Sequence, residues 1–295
     1  MKNFVHILSM LAALAGGCKQ QRENEASDAK IFGGEAVGPG DPVAIFTGAL
    51  TTSDGAVLCT ATLISPTVMV TAAHCLRSEA ASGRLSIMFG LETKHGKSFP
   101  VKAYAVHPKY NPAYAGSDVK SQYDIGLVAM ETPVPGHTPL PILEAGFPLE
   151  PYASTLKIAG YGFTDIGRKD SGVLRWAPTT FSLESKPTKE IFIDGFRVTN
   201  ACSGDSGGPA LVRYDGQTYL LGAASYVIAV NGRACNSGYS SYSDLRAYRT
   251  WINDMVMKLP TAEGKVETQT AQASQAAQAQ APSSSREATN SEAAQ

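Results

Sequence analysis

Ala210-Leu211-Val212-Arg213-Tyr214, then Asp215-Gly216, then Thr218-Tyr219-Leu220 is the stretch that sets the fold class. Two β-prone runs joined by Asp-Gly predict a tight hairpin, because such a turn needs left-handed backbone that glycine adopts without strain. Similar short runs recur outward along the chain. Tyr219-Leu220-Leu221-Gly222-Ala223-Ala224 extends the second arm, while Ile125-Gly126-Leu127-Val128-Ala129 and Thr67-Val68-Met69-Val70-Thr71 lie upstream. Six prolines from Pro133 to Pro151 make an extended connector that divides residues 31–258 into halves of similar size. One helix is expected over residues 243–257, where Leu245, Tyr248, Ile252 and Met255 recur at helical spacing behind Ser243 or Asp244 as N-cap. Many short strands, a proline-rich divider and one closing helix predict an all-β protein built as paired antiparallel barrels.

The 295 residues are enough to bury a large core, and 28 glycines suit a turn-rich β protein. A net charge of −1 with 17% charged residues offers no field for phosphate backbones, which argues against nucleic acid as a partner. The five cysteines are Cys18, Cys59, Cys75, Cys202 and Cys235. None forms a CxxC pair, so zinc-ribbon and thioredoxin-type readings fail. Four can make two bridges, and one is left over.

Both ends read as lying outside the fold. Met1-Lys2-Asn3 followed by an apolar run from residue 4 to 15 is the pattern of an export signal, expected over residues 1–17. Two readings of its cut stand side by side. Ala13-Leu14-Ala15 is an A-x-A site for release, whereas Ala15-Gly16-Gly17-Cys18 is similar to a bacterial lipobox with Ala15 in the place of leucine, making Cys18 a lipid anchor. Residues 18–30 would be a propeptide. The last segment, 259–295, is Ala/Gln/Ser-rich and expected to be a disordered tail, since it has too little apolar surface to offset its ordering entropy.

Gly204-Asp205-Ser206-Gly207-Gly208-Pro209 is the sharpest motif. A serine hydroxyl is a weak nucleophile until a neighbouring base takes its proton. Surrounding glycines let the backbone turn tightly and leave N–H groups free for an incoming oxygen. The candidate base is His74 in Thr71-Ala72-Ala73-His74-Cys75, and the candidate orienting acid is Asp124 in Tyr123-Asp124-Ile125-Gly126-Leu127. His95, His107 and His137 read as surface or loop residues.

With those three boxes, Ile31-Phe32-Gly33-Gly34, Ala159-Gly160-Tyr161-Gly162, and Tyr242 ahead of Trp251-Ile252, residues 31–258 resemble an exported, bacterial-type serine protease of the trypsin/chymotrypsin family. The resemblance implies two six-stranded antiparallel barrels, about 31–140 and 141–258, with the site between them and a C-terminal helix. It implies that Ser206 attacks the scissile carbonyl, His74 relays the proton, Asp124 orients the imidazole, and the N–H groups of Gly204 and Ser206 hold the oxyanion. Activity should then rise with pH as His74 loses its proton, near the ~6.5 of free imidazole. No metal and no organic cofactor is called for.

The resemblance also implies bridges Cys59–Cys75 and Cys202–Cys235, formed in an oxidising compartment outside the cytoplasm or in the cell envelope. It pairs Asp205 with the amine of Ile31, freed when an activating protease cuts after Lys30. Cys18 lies upstream of that cut, so any membrane attachment would be through its lipid alone. Asn200 falls at the base of the S1 pocket, where its neutrality argues against Lys or Arg at P1. Ser225-Tyr226-Val227 aligns with the strand that pairs with substrate. Val227 and Ser240 fill wall positions, which favours small uncharged P1 residues; Arg233 offers an acidic P1 as the runner-up. The expected protein is a monomeric serine endopeptidase acting on proteins or peptides. The competing class is a catalytically silent homologue that serves as a binding module.

Overall fold

The computed structural model describes residues 31–77, 84–114, 123–165, 167–196, 199–230, 233–261 and 264–266. The expected export signal, the propeptide with Cys18 and Lys30, and residues 267–295 lie outside the described residues.

Val68-Met69-Val70-Thr71 is buried on both faces, so one face lines the barrel and the other is covered by packing outside it. A short strand β1 (Glu35–Ala36) and a helical turn α1 (Val43–Phe46) precede the first barrel. That barrel consists of β2 (Thr47–Thr51), β3 (Val57–Leu63), β4 (Val68–Thr71), β5 (Ser86–Phe89), β6 (Lys97–Val106) and β7 (Gly126–Met130). Its order is β6-β5-β2-β3-β4-β7, and β6 pairs with β7 to close it. Leu50, Met69, Ile87 and Leu127 are among its buried side chains. Helix α2 (Ala73–Arg77) follows β4 directly.

Residues 131–149 form no strand; Ile142 alone bridges to Leu220 along this connector. The second sheet contains β8 (Leu156–Gly160), β9 (Arg175–Thr179), β10 (Phe181–Ser185), β11 (Glu190–Asp194), β12 (Pro209–Tyr214), β13 (Gln217–Val230) and β14 (Arg233–Asp244). With β1 it runs β1-β9-β8-β12-β13-β14-β11-β10. The expected pair of six-stranded barrels is therefore a closed six-stranded barrel and an eight-stranded antiparallel sheet. The hairpin β12–β13 turns at Asp215 and Gly216, whose φ values of 47° and 73° are the left-handed pair the Asp-Gly dipeptide predicts.

Two boundaries differ from expectation. Ser243 and Asp244 belong to β14, where Ser243 pairs with Glu190, so neither caps the long helix. Asp244 instead accepts the Arg246 N–H at 3.1 Å and caps a 3-10 turn over Leu245–Tyr248, and α3 (Arg249–Lys258) begins after it. Ile252 and Met255 face the core as their spacing requires. The fold also continues beyond residue 258. Leu259 is wholly buried, and β15 (Gly264–Val266) pairs in parallel with Ala103–Ala105 of β6. No described helix is long and apolar enough to cross a membrane.

Candidate active site

Strands β4 and β7 pair with Thr71 opposite Gly126, so the chain just beyond one strand meets the chain just before the other. This register brings His74, in the first turn of α2, against Asp124. A side chain at Gly126 would enter Leu76 of the same helix, with only 2.6 Å to its Cδ1, so the approach depends on glycine. Asp124 is buried. Its Oδ1 accepts the His74 backbone N–H at 2.9 Å, and its Oδ2 lies 2.8 Å from His74 Nδ1.

The second sheet holds the same acid from the other side. A bulge between Ala224 and Tyr226 takes Ser225 out of the strand register, and its hydroxyl donates to Asp124 Oδ2 at 2.6 Å. Ser243 Oγ donates to the Asp124 carbonyl at 2.9 Å. Burial pulls His74 down, but the charge and hydrogen bond of Asp124 outweigh it and hold the imidazole above its ordinary 6.5. The base therefore stands higher than the free-imidazole value expected from sequence.

Ser206 sits half-buried in the turn before β12. Its carbonyl accepts the Thr60 N–H at 2.8 Å and lies 4.0 Å from Cys75 Sγ, next in sequence to His74. The following Gly207 donates to Ala224, next to Ser225. His74 and Asp124, read from separate segments, are thus bonded to each other, and the Ser206 carbonyl approaches Cys75, the neighbour of His74.

Gly204 has φ +93°, and a Cβ there would lie 2.8 Å from Gly162 Cα, so the turn before β12 packs backbone to backbone on the Gly160-Tyr161-Gly162 segment. Asp205 is buried beneath that turn, where it accepts the N–H groups of Gly162 at 2.8 Å and Cys202 at 2.9 Å. Burial pushes its carboxyl up to about 7, offset in part by these donors and by the Arg175 charge. The N–H groups of Gly204 and Ser206 donate to no backbone carbonyl among the described residues.

The model named Trypsin matches residues 31–252. The chain belongs to the trypsin family. A trypsin from Phaedon cochleariae is 30% identical over 223 residues, covering 66% of this chain and 78% of that protein. Serine protease SP24D from Anopheles gambiae is 25% identical, with 84% and 88% covered. Coagulation factor XII from Bos taurus is 27% identical, and the chain spans only 35% of its length. The solved structure of human heparin binding protein superposes with a TM-score of 0.64 at 20% identity, over 80% of this chain and 99% of that one, and so shares the fold.

The two disulfides of this trypsin-family chain are those expected, Cys59–Cys75 and Cys202–Cys235. Cys59, Cys75 and His74 cluster tightly enough to suggest a metal site, but both sulfurs are committed to the bridge and cannot ligate. Val227 lies directly opposite Ser240 across β13–β14. Asn200 is wholly buried, its Oδ1 accepting from Ser240 Oγ and from the Ala201 N–H at 3.1 Å. Tyr226 adjoins Val227, paired with Ser241. The backbone of Arg233 closes β14 opposite Val230.

Ile31 is buried in the second core and Phe32 bridges to Asn200, whose N–H donates to the Phe32 carbonyl at 3.1 Å. His107 corrects the surface reading: it is buried and stacks on Tyr123 at 4.9 Å, with Tyr248 and Trp251 at its edges. Burial and the charges of Lys189 and Lys109 push it down to about 4, leaving it neutral at physiological pH. Thr60, Ser243 and Tyr161 also hold the site, though only Tyr161 had a sequence signal, its place between two glycines. Its hydroxyl reaches from the second sheet to the carbonyls of Gly90 at 2.7 Å and Thr47 at 3.3 Å in the first barrel.

Proposed function

We propose that this protein is an exported serine endopeptidase that hydrolyses proteins or peptides through an acyl-enzyme. The observation that carries the reading is the buried Asp124 holding His74 by two hydrogen bonds in the same place as Ser206. In this reading His74 takes the Ser206 proton as the hydroxyl attacks the carbonyl, and returns it to the leaving amine. The N–H groups of Gly204 and Ser206 receive the oxyanion. A donor of that kind contributes roughly 3 to 4 kcal/mol to the transition state.

The chain is made as a zymogen cut after Lys30. An Asp205 carboxylate buried at full depth gains most from a positive partner, which the freed amine of Ile31 would supply. The S1 pocket takes small uncharged side chains: Asn200 at its base is closed to solvent, and Val227 and the buried Ser240 fill its walls. The enzyme acts as a monomer.

Labelling by a fluorophosphonate probe after cleavage at Lys30 tests the proposal. Labelling abolished by Ser206→Ala is expected; an activated protein that resists the probe would instead be a binding module. A positional-scanning peptide library reads the P1 preference, and strong cleavage after Lys or Arg would overturn the pocket assignment.

A further inference from the structure

Thr60 is wholly buried in β3, one residue from the Cys59 bridge, and all its polar groups are spent on the active site or its surroundings. Its N–H donates to the Ser206 carbonyl at 2.8 Å. Its hydroxyl donates to the Gly204 carbonyl at 2.9 Å and accepts the Tyr161 N–H at 3.1 Å. Its own carbonyl accepts Thr71 Oγ at 2.8 Å, on the segment that leads to His74.

The oxyanion donors lie on peptide planes that must not rotate. The plane carrying the Gly204 N–H is held through the Ser203 carbonyl, which accepts Phe163 N at 2.8 Å. The plane carrying the Ser206 N–H is held through the Asp205 carbonyl, which accepts Gly208 N at 2.8 Å. The two alternating planes, carrying the Gly204 and Ser206 carbonyls, are held by Thr60 at their oxygens, while the Asp205 N–H donates to Cys202 at 3.0 Å and the Gly207 N–H to Ala224 at 2.7 Å at their other ends. Gly204 has no side chain to resist rotation and sits at φ +93°.

We infer that the Thr60 hydroxyl is a positioning group for the oxyanion turn, clamping Gly204 to Tyr161 across the boundary between the barrel and the second sheet. This rests on the proposed role of Gly204 and Ser206 as oxyanion donors. Its effect is on the transition state, because the clamped turn carries the donors for charge that develops during attack.

The test compares Thr60→Val, which keeps the shape and removes the hydroxyl, with Thr60→Ser, which keeps the hydroxyl. Both are assayed in the activated enzyme for kcat, KM and inhibition by a peptide aldehyde, with melting temperature measured in parallel. Thr60→Val is expected to lower kcat and aldehyde affinity together by about tenfold to a hundredfold, with KM changed less than about twofold. Thr60→Ser should restore both to within about threefold. A Thr60→Val enzyme that melts lower yet keeps kcat and aldehyde affinity would overturn the inference, as would a Thr60→Ser enzyme no better than Thr60→Val. Failure of the underlying reading is seen separately, as a wild-type protein that the fluorophosphonate does not label.

Discussion

Ser225 donates its hydroxyl to Asp124 Oδ2 at 2.6 Å, the same oxygen that holds the His74 ring. The second donor fixes the orientation of the carboxylate beside the imidazole. Hydrogen bonds to charged groups contribute about 1.5 to 3 kcal/mol. Ser225→Ala is therefore expected to lower kcat/KM by about tenfold or more on a small peptide substrate. A change below about twofold would mean that His74 alone orients the acid.

The same carboxylate governs the pH profile. Burial opposes protonation of His74, yet the charge and hydrogen bond of Asp124 prevail and raise it. The base must be neutral to accept the Ser206 proton, so kcat/KM should climb with pH through a midpoint above 6.5. A rate profile from about pH 5 to about 9 checks this, and Asp124→Asn should move the midpoint down.

Asp205 predicts opposite pH dependences before and after the cut. In the unbroken chain its carboxyl is raised from 3.8 to about 7, so the native state binds the proton more tightly than the unfolded one. That contribution to stability is complete below about pH 4 and is lost as the pH rises to about 7. A freed Ile31 amine would depress the pKa, and the contribution would then be present at neutral pH and lost on acidification. Thermal melts of the Ser206→Ala protein across this range, before and after cleavage at Lys30 and with and without Asp205→Asn, show the difference.

Val227 stands opposite Ser240, and in the proposed function it fills one wall of the S1 pocket. Val227→Gly should raise kcat/KM for a Phe P1 peptide relative to an Ala P1 peptide by roughly tenfold or more, the scale set by added apolar volume in a pocket. An unchanged ratio would place the restriction elsewhere, at the buried Asn200.

What is legible in the sequence is local. Asp215-Gly216 announces its turn because the dipeptide's backbone preference is that of the hairpin. His74, Asp124 and Ser206 each lie in a short local box, and the three boxes taken together carry the chemistry. Thr60 carries no signal of its own in the sequence, because its role arises only where β3 meets a distant loop. Ser243 has the chemistry of a helix cap, but pairing with Glu190 claims it for the sheet. His107, next to Pro108, reads as a loop residue until Tyr123, Tyr248 and Trp251 close around it from far along the chain. Leu259 stands at the head of a polar segment that masks its burial.

The parallel pairing of Gly264–Val266 with Ala103–Ala105 imposes an order on assembly. Barrel one is encoded first, yet the outer edge of β6 acquires this neighbour only after the second sheet and α3 have been synthesised. During translation that edge carries unsatisfied N–H and C=O groups that could recruit a foreign strand. β15 thus acts as a late seal, made when both sheets are already complete behind it.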